Sequence, residues 1–377
     1  MSISPASIAA VEKVFEQNFA TGREIGAEVA IFWRGEEVLR LQRGHRDRGR
    51  TSEWTTDTIV PVYSATKAPA AATLLHALES RGLSEQTPVR EVWSHFPLGE
   101  ARFSDMLSHQ CGLAALDQSS SVWDHASVVA AIEQQLPAWM PGTGVGYHPR
   151  TYGALLDESV RRLTGLALGV WWRREIAGPM GWDFWIGLPE TEWGRVAALV
   201  PGKAEKSDTE KGFYREFMTD GTMTRRAFLS PSGLHAVHEM NDSRVWLAGF
   251  PAMGGVGSAR ALAQFYQAAM GCMESPISTA VQHALQQRQV QGDDQVLLQT
   301  MRYSCGCQLD PLDGDGHKMR SLYGPDAAGF GHPGAGGSHA FGDPTTGISF
   351  AYVMNQMELS VLPGARSIEM VKALFEV

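Results

Sequence analysis

Behind Ser4-Pro5, apolar residues recur at Ile8, Val11, Val14, Phe15 and Phe19, the three-and-four spacing of one helix face, with a serine cap and a proline opening the first turn. The pattern then changes. Gly26 to Trp33 and Glu37 to Leu41 read as two strands of a hairpin turning at Arg34-Gly35. Towards the other end, Ser338 to Phe341 and Ile348 to Met354 predict a second hairpin through Asp343-Pro-Thr-Thr-Gly347, followed by a helix over Ala365 to Phe375. In the middle, Leu, Ala and Val at spacings of three and four predict helices over Ala68 to Arg81, stopped by Gly82, and Thr151 to Leu163, stopped by Gly165. Lys203 to Phe250 is polar, charged and aromatic with weak periodicity, the character of a lid, a binding loop or a peripheral excursion.

Strands near both ends imply one antiparallel sheet built from distant parts of the chain, covered by the terminal helices, with a largely helical portion inserted between them. The expected division is a discontinuous α/β domain of residues 1–85 and 255–377 and a mostly helical region of residues 86–254, within which 203–250 is lid-like. No internal repeat and no Pro/Ser-rich linker interrupts this scheme.

Composition narrows the class. Of 377 residues, 44% are hydrophobic, enough for a sizeable core. Lys and Arg number 32 against 41 Asp and Glu, a net charge of −9 with no basic block, so nucleic acid is not an expected partner. No apolar run approaches the ~18 residues that span a bilayer, and the start lacks a basic n-region and an apolar h-region. The expectation is a cytoplasmic protein with no membrane partner. Cys305 and Cys307 are too closely spaced for an easy disulfide and lack a second Cys/His pair for zinc; with Cys111 and Cys272 they are expected to be buried free thiols.

Candidate chemistry lies in three places. Val62-Tyr63-Ser64-Ala65-Thr66-Lys67 enters a helix, and residues three apart share a helix face, so the Ser64 hydroxyl and the Lys67 amine can meet. A lysine removes a serine proton only when its pKa falls from about 10.4, which burial by the run Ala68 to Leu75 would cause. The Ser64 N–H at the helix start is placed to donate to an oxyanion. Pro69 is awkward for a regular helix starting at Ser64 and suggests a local irregularity. Second, the glycine-rich loop Pro141 to Arg150 presents Tyr147 and His148 just before a helix; a phenolate near cations can relay a proton to a leaving group. Third, Phe330 to Ser338 is a glycine-rich strand entry where Gly334 and Gly336 would let substrate lie against the strand edge and His332 would add a donor or a tunable charge. Each motif alone also fits an ordinary cap, a half-buried aromatic or a surface histidine.

In combination and in this order, S-x-x-K, a middle tyrosine and a basic-residue-x-Gly strand, the chain resembles the penicillin-recognising serine hydrolases. Within them it is most similar to the class C β-lactamase-like group that includes the family VIII carboxylesterases. The likeness covers nearly the whole chain, with further support from Leu107-Ser-His-Gln-Cys-Gly-Leu113, Pro141-Gly-Thr143, Leu163-Thr-Gly165 and Phe330 to Gly337. It implies a β-lactamase-like α/β fold, Ser64 as acylated nucleophile, Lys67 as its base, Tyr147 as general acid/base, and an oxyanion hole from the N–H groups of Ser64 and Ala335. Two departures stand out. Tyr147-His148-Pro149 replaces Tyr-x-Asn and His332-Pro333-Gly334 replaces Lys-Thr-Gly, removing groups that would grip a β-lactam side chain and carboxylate.

The expected function is therefore hydrolysis of small-molecule carboxylic esters, short acyl chains preferred, with Tyr63, Trp123, Trp246 and Phe250 as apolar walls and His148, His332, Gly334 and Gly336 as further substrate contacts. An amidase, D-aminopeptidase or weak β-lactamase on the same residues, and a non-catalytic sensor, remain as alternatives, and self-association into a homo-oligomer stays open. There is no G-x-S-x-G elbow, no G-x-G-x-x-G, no GK[ST] and no H-E-x-x-H, and no histidine pair has ligand spacing, so neither cofactor nor metal is expected.

Overall fold

The run Gly26-Ala-Glu-Val-Ala-Ile-Phe-Trp33 is apolar at nearly every position, which suits a strand covered on both faces. In the structure, a computed structural model describing residues 3–202 and 210–376, this run is β1 (Gly26–Trp33). The strands that follow are β2 (Glu36–Gly44), β3 (Val60–Pro61), β4 (Phe184–Trp185), β5 (Val256–Gly257), β6 (Val290–Asp293), β7 (Thr300–Tyr303), β8 (Gln308–Leu309), β9 (Phe330–Gly331), β10 (His339–Asp343) and β11 (Ile348–Met354). Among the described residues the main sheet has eight strands, all antiparallel, in the order β2-β1-β11-β10-β9-β8-β7-β6; β3, β5 and β4 form a small second sheet. β1 pairs with β11 from Ala27 opposite Met354 to Trp33 opposite Ile348, joining the two ends of the chain. The first hairpin turns where expected, with Arg34 and Gly35 both at positive φ, 47° and 89°, as a two-residue turn between twisted strands requires.

The helices that position the site are α1 (Pro5–Ala20), α2 (Lys67–Glu79), α3 (Thr151–Thr164), α4 (Ala259–Ala269) and α5 (Ala365–Phe375). Alternate side chains of β1 explain the layers. Val29 and Ile31 join Val11 and Phe15 of α1 and Met370 of α5 in one core, while Ala30 and Phe32 face the other, which holds Leu262 and Phe265 of α4. Eleven of the thirteen residues of α2 are buried, so this helix is apolar all round and runs through the centre rather than along the surface. Gly165, at φ 78°, ends α3 as a left-handed cap.

Part of the lid-like stretch, residues 203–209, lies outside the described residues. From Glu210 to Phe250 the chain forms short helices, Lys211–Met218, Met223–Leu229 and Ser243–Ala248, where the sequence pattern suggested a loop. Their length is below what shows clear periodicity; Phe213 instead packs with Tyr147 and Trp139 in a satellite core. Cys111, Cys305 and Cys307 are buried free thiols, whereas Cys272 is only half-buried. No helix among the described residues is long and apolar enough to cross a membrane.

Candidate active site

The serine sits on a turn that is pinned from both sides. Tyr63, at φ 48°, takes a left-handed conformation that a bulky residue rarely adopts, and a 3-10 turn follows over Ser64–Thr66 before α2 begins at Lys67. This arrangement accommodates Pro69: it is the third residue of the α-helix, where its missing N–H would have no intrahelical acceptor. Neighbouring strands hold the strained turn in place. Val62 N–H donates to Gly255 O at 3.0 Å, Gly255 N–H to Thr66 Oγ1 at 2.9 Å, and Thr66 Oγ1–H to Tyr63 O at 2.5 Å. A Cβ at Gly255 would stand 2.6 Å from Thr66 Oγ1, so glycine is what allows the approach.

Lys67 is completely buried, with Nζ 3.1 Å from Ser64 Oγ, 3.0 Å from Pro149 O and 2.8 Å from Ala252 O. Nζ also lies 4.8 Å from the centroid of the Tyr147 ring. Burial, with the Arg150 charge adding to it, holds the lysine pKa well below its ordinary value. A neutral amine has two N–H groups and one lone pair. The two carbonyls account for the N–H groups, and by count the lone pair is left for the Ser64 hydroxyl.

Tyr147 is buried and lines the cleft together with Ser64, whose hydroxyl favours the ionised phenol. Desolvation, reinforced by the Asp294 charge, raises its pKa, so the resting group is a neutral phenol rather than the phenolate considered from the sequence. Asp294 was not singled out in the sequence, yet it grips the tyrosine's main chain. Its two oxygens accept from Tyr147 N–H at 2.9 and 3.0 Å, from Val296 and Leu297 N–H at 2.9 and 2.8 Å, and from Tyr303 O–H at 2.7 Å. No local spacing marks it. The contact spans 147 residues and uses a backbone donor, which carries no sequence signal.

His148 does not face the cleft. Its ring is buried, with Nδ1 2.7 Å from Gly146 O and Nε2 accepting from Leu113 N–H at 3.0 Å, so both nitrogens are used and burial lowers its pKa to about 4. His109 also lies beneath the loop, 5.0 Å from the Tyr147 ring, and its Nδ1 accepts His148 N–H at 3.2 Å.

The third motif reaches the serine. Ser64, Tyr147, His332, Pro333 and Ala335 line a cleft of about 30 Å³, completed by Phe228, Leu297, Gln308 and Val361. The N–H groups of Gly334, Gly336 and Gly337 go to Ser338 O, Ser360 O and Gly334 O, which leaves that of Ala335 for the cleft. Gly334 and Gly336 are not among the residues that line this cleft. A Cβ on Gly334 would come 2.0 Å from Val62 O, and one on Gly336 2.4 Å from Met357. His332 is buried, its Nδ1 2.8 Å from Pro333 O and its Nε2 without a partner among the described residues. Burial and the nearby Lys67 push its pKa down to about 3, so it offers a neutral acceptor rather than the tunable charge expected.

The proposed aromatic walls lie elsewhere. Trp246 donates from Nε1 to Met240 O at 2.8 Å and packs edge-on against Trp193. Tyr63 packs on the main core and lines neither this cleft nor the next cavity. Phe250 and Trp123 meet edge to face at 5.3 Å in a separate cavity.

A sequence model of the family described as beta-lactamase matches residues 11–373. The chain is 29% identical to the esterase/beta-lactamase LipL of Mycobacterium tuberculosis, over 93% of this chain and 81% of that protein. The fold matches the crystal structure of a penicillin-binding protein homologue from Caulobacter crescentus, at 32% identity and a TM-score of 0.85 over 99% of this chain and 98% of that one. It matches a family VIII carboxylesterase equally well, at 29% identity and a TM-score of 0.85 over the same shares.

Proposed function

The chain belongs to the beta-lactamase family of serine hydrolases, and on that footing we propose that it cleaves short-chain carboxylic esters through an acyl-enzyme on Ser64. One observation carries the reading: a fully buried lysine whose N–H groups have two main-chain carbonyls to satisfy and whose nitrogen stands 3.1 Å from the serine oxygen. In this reading Lys67 takes the Ser64 proton as Oγ bonds to the ester carbonyl carbon, and the carbonyl oxygen gains its negative charge against the N–H groups of Ser64 and Ala335. The tetrahedral adduct then expels the alcohol oxygen, which takes the Tyr147 phenolic proton, and Lys67 returns a proton to the tyrosine. Water completes the cycle by the reverse route: Tyr147 passes its phenolic proton to the neutral Lys67 and takes one from the water as it attacks the acyl carbon, and Lys67 returns the proton to Ser64 Oγ as the acyl bond breaks.

The preference for short acyl chains is supported by the ~30 Å³ cleft walled by Phe228, Leu297 and Val361. The preference for esters over β-lactams is supported by the neutral His332 where a lysine would supply a cation, and by Pro333, which has no hydroxyl. A reducing, cytoplasmic location suits four free cysteines and is part of the same proposal. The test compares p-nitrophenyl acetate, butyrate and octanoate with nitrocefin and a D-alanyl amide, together with mass detection of acylated Ser64. Burst kinetics on acetate and butyrate, with nitrocefin at least 100-fold slower in kcat/KM, are expected. A preference for nitrocefin or for the amide, or label on any residue but Ser64, overturns the assignment.

A further inference from the structure

A cavity of about 750 Å³ lies behind the catalytic lysine and shares no lining residue with the cleft at Ser64. Main chain forms the partition: Ala252, whose carbonyl accepts from Lys67, belongs to the cavity wall, as does Arg150, the neighbour of the second accepting carbonyl at Pro149. The volume falls within the ~300–1,000 Å³ typical of small-molecule sites, and it dwarfs the cleft where the proposed chemistry occurs.

Two features of the lining define the ligand. The first is an apolar mouth. Trp123, Val170 and Leu247, from three separate segments, all line this cavity yet remain 48%, 52% and 59% exposed, a concentration of large apolar side chains in water that marks a binding surface. The second is an excess of cations: Arg150, Arg161, Arg173 and Arg174 face it, with Asp157 as the carboxylate. Arg161 is matched by Asp157 at 2.9 Å and Arg174 by Glu175 at 2.5 Å. Arg150 and Arg173 form no ion pair among the described residues. The buried Arg150 guanidinium rests on the carbonyls of Pro231 (2.9 Å), Leu234 (3.3 Å) and Gly233, and Arg173 donates to Trp182 O at 3.0 Å and lies over the Trp185 ring. Burial lowers the Arg150 pKa to about 10, and the charge of Glu239, which is not within ion-pair distance, offsets this only in part.

We propose that this cavity is a second ligand site, separate from the hydrolytic cleft, for a monocarboxylic acid with an apolar chain. The carboxylate meets the unpaired guanidinium groups and the chain fills the volume between Trp123, Phe250 and Ile186. The site stands whether or not Ser64 turns over esters.

Decanoate is the probe, titrated into the full chain and followed by tryptophan fluorescence, which Trp123 and Trp185 report, and by calorimetry. Saturable one-to-one binding is expected, at least tenfold tighter than decan-1-ol. Val170→Asp, a change at a half-exposed rim position, is expected to weaken decanoate at least fivefold by repulsion, and Ala154→Phe to weaken it comparably by filling space. Ser64→Leu plugs the ~30 Å³ cleft and should leave the decanoate affinity within twofold. Absence of saturable binding, equal affinity for the alcohol, or loss of binding in Ser64→Leu each overturns the proposal.

Discussion

Replacing Asp294 by asparagine tests how the tyrosine is held, because the change is nearly isosteric and its bonds can be counted. Oδ1 accepts from the Val296 and Leu297 N–H groups, Oδ2 from the Tyr303 hydroxyl, and both from Tyr147 N–H. An amide can keep the Oδ1 set. At Oδ2 it puts an NH2 against the Tyr147 N–H, donor facing donor, and forces the Tyr303 hydroxyl to turn and accept. The net loss is one charge-assisted hydrogen bond to the catalytic loop, ~1.5–3 kcal/mol. If that loss is felt as misplacement of Tyr147 in the transition state, kcat falls by about 10- to 150-fold at ~1.36 kcal/mol per decade, with KM little changed. A further signature separates this role from a merely structural one. The Asp294 charge helps to raise the phenol pKa of Tyr147 and of Tyr303, so removing it should move their ionisation, read by near-ultraviolet absorbance of the phenolate, to lower pH. Burst and steady-state kinetics on p-nitrophenyl acetate, with thermal unfolding to confirm a folded variant, measure both. A folded Asp294→Asn protein with kcat within twofold of the parent and an unmoved phenol titration would refute the reasoning.

Other outcomes follow from the same geometry. Ser64→Ala should reduce ester turnover to near background, and Lys67→Met should lose about 10³- to 10⁴-fold, since the pair acts as a unit; residual activity above a few per cent in Ser64→Ala would reassign the nucleophile. With Lys67 acting as a neutral base, as proposed, activity should fall as pH drops through the depressed lysine pKa. An unfolded lysine keeps its proton to about 10.4, so folding releases a proton between the two values and stability from this group rises with pH across that window, checked by denaturant midpoints. His332→Phe removes an uncharged acceptor and should lower kcat/KM about tenfold, while the parent shows no activity limb near pH 6.5; such a limb that vanished in the variant would mean that His332 titrates there. Gly334→Ala drives a Cβ into the Val62 carbonyl and should lower kcat more than tenfold with a fall in Tm; normal values for both would show the loop yields cheaply.

What was legible from residue order alone was local. The hairpin strand Ile348 to Met354, the periods of three and four in Thr151 to Leu163, and the Arg34-Gly35 turn are each set by neighbours within one turn or one hairpin, and they recur in the structure within a few residues. The three-residue separation of Ser64 and Lys67 belongs to the same class, because a helical turn imposes it wherever it folds. Tertiary structure decided everything that depends on what surrounds those groups. Lys67 owes its environment to carbonyls 82 and 185 residues away, Tyr147 its posture to Asp294, and His332 its neutrality to burial beside Lys67. It also turned His148 and Trp246 away from the cleft and opened a second cavity behind it. The physical reason is range: backbone geometry is dictated by adjacent residues, whereas desolvation and backbone acceptors come from whichever distant segments pack against a side chain, and carbonyl oxygens look alike in every residue.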